Sequence, residues 1–163
     1  MRERDLLKAV AEYVIAEGSE KEAARDRVAE LLAGLESGAG RRQLGGVARE
    51  VLAELGCPYE LKGHDRLVCA LVLVAQDPTL TQRMTARLYP EVAKRFGEQW
   101  HHTERNIRSA VEAVFERNGA DLIDRYFGNA VDWKKGKLTN KAFLVRVAEI
   151  IRQRAGLEDA DGM

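Results

Sequence analysis

The stretch LVCALVLVA, residues 67–75, most restricts how this chain can fold, because every side chain in it is apolar. Gly63 precedes it and Asp77-Pro78 follows it, so it reads as one bounded, buried segment. It is far too short to cross a bilayer, which needs about 20 residues. Periodicity alone does not distinguish a buried strand from a central helix. Because the chain has no second strand-like run to pair with it, we predict a helix here and an all-α fold.

Helical spacing continues on both sides of this run. The first 36 residues predict a hairpin of two helices that turns at Gly18. Its apolar residues recur three or four positions apart, at Leu7, Val10, Val14, Ala24, Val28, Leu31 and Leu35. The Gly-rich segment 37–46 lacks apolar periodicity and is predicted to be a linker. A domain of short helices is predicted over residues 47–155, followed by an acidic tail at 156–163.

Within the predicted domain, changes of pattern divide the chain into separate helices. Gly56 and Pro58 end the first helix, and Pro90 opens another because proline is tolerated in a first turn. The remaining helices are predicted at 80–88, from after Gly97 to about 117, at 120–128 and at 142–153. Residues 129–140, NAVDWKKGKLTN, are predicted to be a loop.

The net charge of this chain is informative only when it is counted over separate segments. The chain has 26 Lys and Arg against 26 Asp and Glu, so its overall charge implies no polyanionic partner. Residues 81–142 contain 12 basic against 8 acidic residues, a net charge of +4, whereas residues 1–36 contain 6 against 9, a net charge of −3. The excess of positive charge therefore lies around the helices that flank Gly97.

The remaining motifs exclude several classes of protein. Cys57 and Cys69 form no Cys-x-x-Cys pair, and the charged N-terminus MRERDLLKAV lacks a signal-peptide core. These features predict a reduced, cytoplasmic protein with two buried free thiols and no disulfide. There is no Gly-rich phosphate loop and no nucleophile elbow, so we predict neither an enzyme nor a bound cofactor.

The segments PEVAKRF (90–96) and HTERNIRSAVEAVF (102–115) are joined by a short turn through Gly97. This layout is typical of a helix-turn-helix, whose second helix presents residues near its N-terminal end to DNA bases. The residues predicted to point outward there are His102, Arg105, Asn106 and Ser109. Arg suits guanine, Asn suits adenine, and a carboxylate such as Glu104 can accept from cytosine. Two helices with a glycine turn also occur in many α-bundles, so spacing alone leaves both interpretations open.

His101, His102 and Glu104 raise the alternative of a metal site. Neighbouring residues of a helix point about 100° apart, so the two histidines do not converge on one ion. A zincin helix needs histidines four residues apart with a glutamate between them. His64 and both cysteines are distant in sequence. We therefore predict no metal site.

Four separated blocks resemble one family, in the same order and nearly without gaps. They are ELGCPYELKGHDRL (54–67), LYPEVAKRF (88–96), TERNIRSAVE (103–112) and LTNKAF (138–143). Over roughly residues 47–153 the chain resembles the C-terminal effector domain of the stage zero sporulation protein A family. The resemblance implies a six-helix domain that binds operator DNA and engages RNA polymerase through its sigma subunit. Residues 90–96 would be the supporting helix, and residues 101–117 the recognition helix.

The residues that match the family's Glu-Arg-x-Ile-Arg core are Glu104, Arg105, Ile107 and Arg108. The resemblance implies that Glu104 and Arg105 reach bases, and that Arg108 contacts a phosphate or forms an internal ion pair. His102 occupies a position where the family uses a base-reading arginine, and Ser109 replaces a family histidine. Both departures change the operator that we expect.

Basic residues near this helix are predicted to hold DNA phosphates: Lys94, Arg95, Arg108, Lys134, Lys135 and Lys137. Such contacts add affinity that depends on salt and not on base sequence. The last three lie beside Trp133 in the predicted loop, where a solvated loop is an equally simple interpretation.

The family's full-length members begin with a phosphoacceptor receiver domain of about 120 residues. Only 46 residues precede the resemblance here, with helical periodicity, so we expect no receiver and no phosphorylation-driven dimerisation. The hairpin is predicted either to form a homodimer, to bind a regulator, or to pack as extra core. The function implied is a sequence-specific DNA-binding regulator of transcription. The alternative is a protein-interaction module or inhibitor, derived from this domain, that no longer binds an operator.

Overall fold

The computed structural model describes the backbone of residues 3–128 and 138–157, and within those ranges every regular element is helical. The α-helices are α1 (Glu3–Ile15), α2 (Ser19–Glu54), α3 (Lys62–Gln76), α4 (Tyr89–Phe96), α5 (Trp100–Arg117), α6 (Ala120–Phe127) and α7 (Asn140–Arg154). A 3-10 helix (Pro78–Gln82) and a π-helix (Met84–Leu88) connect α3 to α4. The all-α prediction is confirmed. None of the described helices is long and apolar enough to cross a membrane.

The predicted linker at 37–46 has helical backbone, because α2 is continuous from Ser19 to Glu54. The expected break between two helices there is therefore wrong. Glycine disfavours a helix by about 1 kcal/mol relative to alanine, but it keeps the N–H donor that proline lacks. Contacts divide the chain into residues 1–43 and residues 44–163, and this boundary falls inside the predicted segment. The separate roles of the two parts remain a prediction.

In residues 1–43, α1 and α2 are connected through Gly18, whose φ of +62° lies in the left-handed region that glycine adopts readily. Lys21 Nζ lies 5.2 Å from the centre of the Tyr13 ring, which links the two helices. Ala9 is the only buried side chain among residues 4–33. Residues 4–33 therefore bury very little apolar surface.

In residues 44–163, α3 is the central helix. It contacts both α5 and α7, and its buried residues include Leu67, Leu71 and Val74. Because neighbouring helices cover α3 on several sides, its sequence does not require a polar face. The choice of a helix over a strand for residues 67–75 is confirmed.

The segment after α3 differs in type from the single helix predicted at 80–88. The Asp77 side chain accepts a hydrogen bond from the Thr79 N–H at 3.1 Å and so caps a 3-10 helix, which is followed by the π-helix. Apolar spacing over so few residues does not specify the number of residues per turn, which explains the difference. Pro90 lies in the first turn of α4, as predicted.

The cysteines give a prediction about thiol chemistry. Cys57 is buried and Cys69 is half-buried, and both are free. Burial raises the pKa of Cys57 to about 11, and burial also raises the pKa of Cys69. Since the thiolate is the reactive form, we expect Cys57 in the native protein at about pH 8 to react with Ellman's reagent about 100-fold more slowly than a free cysteine.

A Cys69→Ser variant isolates the Cys57 reaction, and the same variant unfolded in guanidinium chloride provides the control. Unfolding should restore the ordinary rate, because it removes the burial. A native rate equal to the unfolded rate would show that Cys57 is accessible and ionised, contrary to this expectation.

Candidate nucleic-acid interface

α4 and α5 are separated by three residues, 97–99, and Gly97 closes the turn between them. Gly97 has φ +63° and ψ +36°, and its N–H and that of Glu98 both donate to the Ala93 carbonyl. These bonds satisfy a carbonyl at the C-terminal end of α4. Val92 and Ala93 are buried, and Phe96 is half-buried. The turn therefore fixes the direction in which α5 leaves α4.

Arg66 of α3 holds this turn from outside the two helices. Its Nε and Nη2 donate to the two carboxylate oxygens of Glu98 at 3.0 and 3.1 Å. Its guanidinium carbon lies 4.2 Å from the centre of the Phe96 ring. The Thr103 hydroxyl donates to Glu98 Oε1 at 2.7 Å. Arg66, Glu98 and Thr103, here called the turn clamp, thus connect α3, the turn and the first turns of α5.

The turn clamp is largely shielded from water. The Arg66 and Glu98 side chains keep only 15% and 14% of their exposure, and Thr103 is fully buried. Hydrogen bonds from Arg66 are the main reason that the pKa of Glu98 is below its usual value, with partial burial opposing them. None of the three was predicted as a functional residue. Their only sequence signal is that Arg66 and Thr103 fall inside blocks that carry the family resemblance.

Gly63 allows α3 and α5 to approach closely. A Cβ atom at this position would lie 2.0 Å from the Asn106 carbonyl oxygen and 2.8 Å from the Ala110 Cβ. Side chains essentially never approach so closely, so this contact requires glycine. Gly63 therefore sets the distance between the central helix and α5, although it was predicted only as a boundary of the apolar run.

Seven of the exposed side chains of α5 share one face, as expected when residues advance about 100° along a helix, whereas Trp100 and Arg117 lie off it. The residues of this exposed face of α5 are His101, His102, Arg105, Arg108, Ser109, Glu112 and Glu116. Arg105 lies at its middle, opposite the fully buried Val114. Within the part of the chain that the structure describes, the Arg105 guanidinium has no hydrogen-bond or ion-pair partner. It is therefore free to bind a ligand.

Charge changes along the exposed face of α5. The N-terminal half carries Arg105 and Arg108 with two histidines, whereas the C-terminal half carries Glu112 and Glu116. A nucleic acid is a polyanion, so its phosphates are attracted to the first half and repelled by the second. The charge pattern favours contact through the N-terminal half of α5.

The structure separates the predicted base-reading residues into two groups. His102, Arg105 and Ser109 are exposed, whereas Asn106 and Glu104 are half-buried at opposite edges of the exposed face. Asn106 is less exposed than the predicted outward placement suggests, and its backbone carbonyl lies at the edge that faces Gly63. Periodicity predicted the side of the helix correctly, but the close approach of α3 covers one of its edges.

Glu104 and Arg108 form an ion pair within α5. Arg108 Nε donates to Glu104 Oε1 at 3.0 Å, and Arg108 Nη2 donates to the same oxygen. These hydrogen bonds raise the pKa of Arg108. The internal ion pair was one of the two roles predicted for Arg108. Its side chain is still 54% exposed, and a guanidinium has five N–H donors, so donors remain for a second partner.

The basic residues predicted to hold phosphates are only partly described. Lys94 and Arg95 are exposed in the last turn of α4. Arg95 Nη1 lies 3.9 Å from Cys69 Sγ, a weak contact. Lys134, Lys135 and Lys137 lie outside the described residues, as do Trp133 and residues 158–163 of the predicted acidic tail.

His101 contacts both His102 and Trp100. The His101 and His102 rings meet edge to face with centroids 4.4 Å apart, and the Trp100 ring meets His101 at 5.9 Å. Across residues 3–128 and 138–157, no group of three His, Cys, Asp or Glu residues is placed to hold a metal ion. A cleft of about 590 Å³ beside α5 has carboxylates, including Glu104, and cations, including Arg108, in its lining. Apolar side chains, including Met84, Trp100 and Leu138, complete the lining of this cleft.

An all-α domain that presents an arginine-centred, cationic helix end beside a tight glycine turn has the features of a DNA-binding domain. The family model described as sporulation initiation factor Spo0A C terminal matches residues 48–151, which is more than half of the 163-residue chain. The chain belongs to this family, which confirms the resemblance. Residues 48–151 are thus a DNA-binding effector domain of the kind found in sporulation regulators, a regulatory family and not an enzyme family.

Proposed function

We propose that this protein is a sequence-specific regulator of transcription in which α4 and α5 form a helix-turn-helix and α5 is the recognition helix. The observation that carries the proposal is the exposed face of α5, which centres on Arg105, a residue with no side-chain partner among the described residues. An α-helix is about 10–12 Å across and fits the major groove, which is about 12 Å wide. Family membership supplies the DNA-binding class.

Base contacts are proposed for the N-terminal half of α5. Arg105 lies at the middle of the exposed face of α5 and suits a bidentate contact with guanine O6 and N7. His102 and Ser109 flank it on one side, three and four residues away, and so face adjacent base pairs. Glu104 would accept from cytosine N4 while keeping its ion pair with Arg108. Asn106, half-buried, would contact only a base at the edge of this footprint.

Phosphate contacts are proposed on both sides of this helix. Lys94 and Arg95 lie at the end of α4, and the remaining donors of Arg108 face outward from α5. The loop lysines Lys134, Lys135 and Lys137 are proposed to add to them. Binding should then weaken steeply as salt increases. Engagement of RNA polymerase through its sigma subunit is proposed from the family resemblance alone.

The test is the Arg105→Ala variant, measured on duplexes selected from a random pool by the unaltered protein. Loss of a bidentate guanine contact should weaken binding to the selected duplex by about 1–3 kcal/mol, which is about 5- to 150-fold. Binding to an unrelated duplex should change little, because phosphate contacts remain. Fluorescence anisotropy at one fixed salt concentration measures both affinities.

Arg117→Ala is the matched control, since Arg117 is also exposed on α5 but lies at its C-terminal end. It should leave the selected duplex bound as tightly as before. If the unaltered protein binds every duplex equally weakly, and Arg105→Ala changes nothing, the sequence-specific proposal fails. The protein-interaction alternative would then be preferred.

A further inference from the structure

Asn140 is the first residue of α7, and it reaches both helices of the proposed helix-turn-helix. Its Nδ2 donates to the Tyr89 hydroxyl at 3.0 Å and, over a longer distance of 3.4 Å, to the backbone carbonyl of Glu104. Tyr89 begins α4, and Glu104 lies in the N-terminal half of α5. One side-chain amide therefore connects α7, α4 and α5.

α7 holds Asn140 in place independently of the turn between α4 and α5. The Thr139 hydroxyl accepts a hydrogen bond from the Ala142 N–H at 3.1 Å and so caps the first turn of α7. Just beyond it, Phe143 and Leu144 are fully buried, and α7 packs against α3. The amide of Asn140 therefore projects from a helix that is anchored in the core.

The contact between Asn140 and Glu104 is made to the backbone of α5. In an α-helix the carbonyl of residue i accepts from the N–H of residue i+4, here Arg108, and this leaves a second lone pair on the oxygen. The Asn140 amide is placed to use that lone pair. A hydrogen bond to the backbone restrains the helix itself, whereas a hydrogen bond to a side chain restrains only a rotamer.

The groups around Asn140 are shielded from water. Tyr89 keeps only 4% of its exposure, and burial raises the pKa of Tyr89, while the hydrogen bond from Asn140 opposes that rise. The cleft of about 590 Å³ lies at the same place, with Tyr89, Glu104 and Asn140 in its lining. Because this open space replaces close packing along one edge of α5, the contact there depends strongly on the hydrogen bonds of Asn140.

We propose that Asn140 is a positioning residue for DNA recognition, which holds the N-terminal half of α5 in the orientation that its base contacts require. The turn clamp restrains α5 from the side of α3, and Asn140 restrains it from the side of α7. Hydrogen bonds to bases weaken steeply when they are misaligned. A small rotation of α5 should therefore reduce specific binding more than phosphate contacts, which carry no sequence information. This inference rests on the proposed function, whereas the restraint on α5 does not.

Asn140→Ala removes the amide, and Asn118→Ala is its matched control. Asn118 Nδ2 also donates to two oxygens, the carbonyls of Leu55 and Val114 at 2.6 and 2.8 Å, but it does so at the C-terminal end of α5. Both asparagines are half-buried, so both substitutions should lower the free energy of unfolding in urea. Only Asn140→Ala should weaken binding to the selected duplex, by about fivefold or more, while binding to an unrelated duplex stays unchanged.

Asn140→Asp separates the hydrogen-bond donor from the shape of the side chain. At neutral pH its carboxylate has nearly the same shape and suits the N-terminal end of α7, but it has no N–H to donate. It should lose specific binding as Asn140→Ala does, and it serves alone if the alanine variant does not fold.

Residual dipolar couplings of the backbone N–H groups, measured without DNA, report the orientation of α5 relative to α3. The couplings of residues 101–108 should change in both Asn140 variants and should not change in Asn118→Ala. This measurement needs no assumption about what α5 binds.

Couplings of residues 101–108 that are the same in every variant overturn the proposal, whether or not the protein binds DNA. Equal loss of specific binding in Asn118→Ala also overturns it, as does an Asn140→Asp variant that binds the selected duplex as tightly as the unaltered protein. Altered couplings in a protein that shows no preference among duplexes would contradict the proposed function instead, and would still support the restraint of α5 by Asn140.

Discussion

Replacing Gly63 with alanine is expected to destabilise residues 44–163 by about 3 kcal/mol, at the upper end of the usual cost of overpacking. The new Cβ would lie 2.0 Å from the carbonyl oxygen of Asn106. That oxygen belongs to the backbone of α5, so no rotamer change can move it away. Relief requires α3 and α5 to separate, which opens the core around them. Urea unfolding of the full chain, followed by circular dichroism, measures the loss.

Gly46→Ala is the matched control for this substitution. Gly46 lies inside α2, and nothing lies within 4 Å of a Cβ placed there. The same chemical change should therefore stabilise the chain by up to about 1 kcal/mol, because alanine favours a helix. Opposite signs for the two substitutions would identify the α3–α5 contact as the cause. A Gly63→Ala variant as stable as the unaltered protein would contradict the close approach.

Replacing Arg66 with alanine is expected to lower the free energy of unfolding by about 2 kcal/mol, because it leaves the shielded Glu98 carboxylate without its two-point partner. It should also weaken DNA binding, since the turn clamp fixes how α5 leaves α4. Arg66→Lys should recover only part of both losses, because an ammonium group does not reproduce the guanidinium fork. Chemical unfolding and anisotropy on the selected duplex measure the two effects.

Arg154→Ala provides the comparison. Arg154 donates to both Glu54 carboxylate oxygens at 2.9 and 2.8 Å, but these side chains are 38% and 45% exposed. An exposed pair contributes at most about 1 kcal/mol. Its loss should therefore be clearly smaller than that of Arg66→Ala. Equal losses would show that shielding does not matter at the turn clamp.

The Arg66 effect should depend on pH in a defined direction. The pKa of Glu98 is lower in the folded protein than its usual value, so the ion pair contributes fully above the unfolded-chain pKa of about 4.3. That contribution is lost as the pH falls through the lower, folded-state pKa. The difference in stability between the unaltered protein and Arg66→Ala should therefore shrink between about pH 6 and pH 3. A difference that grows as the pH falls over this range would contradict the lowered pKa of Glu98.

Local pattern was sufficient for the class of fold and for the side of α5 that faces outward. The apolar run at 67–75 lacked a pairing partner and lies within α3, and Arg105, predicted to point outward, is exposed on α5. Local pattern failed at residues 37–46, where α2 is continuous. Helix propensity is only a weak preference. The glycines of this segment make a helix less favourable, but the helical segments on both sides offset that cost. Local pattern also failed at residues 78–88, which form a 3-10 helix and a π-helix. Each has too few residues for apolar spacing to show the number of residues per helical turn.

The sequence by itself determined the helical class, the family blocks, and the position of Arg105 on an outward face, because each depends on residues a few positions apart. Only the tertiary structure decided that Arg66 reaches Glu98 across 32 positions. It also decided that Gly63 lies against the backbone of Asn106, a predicted base-reading residue whose side chain is half-buried. Such contacts depend on how closely α3 approaches α5 and on which rotamers the core allows. Packing between helices fixes those distances, and no periodic pattern in the sequence predicts them.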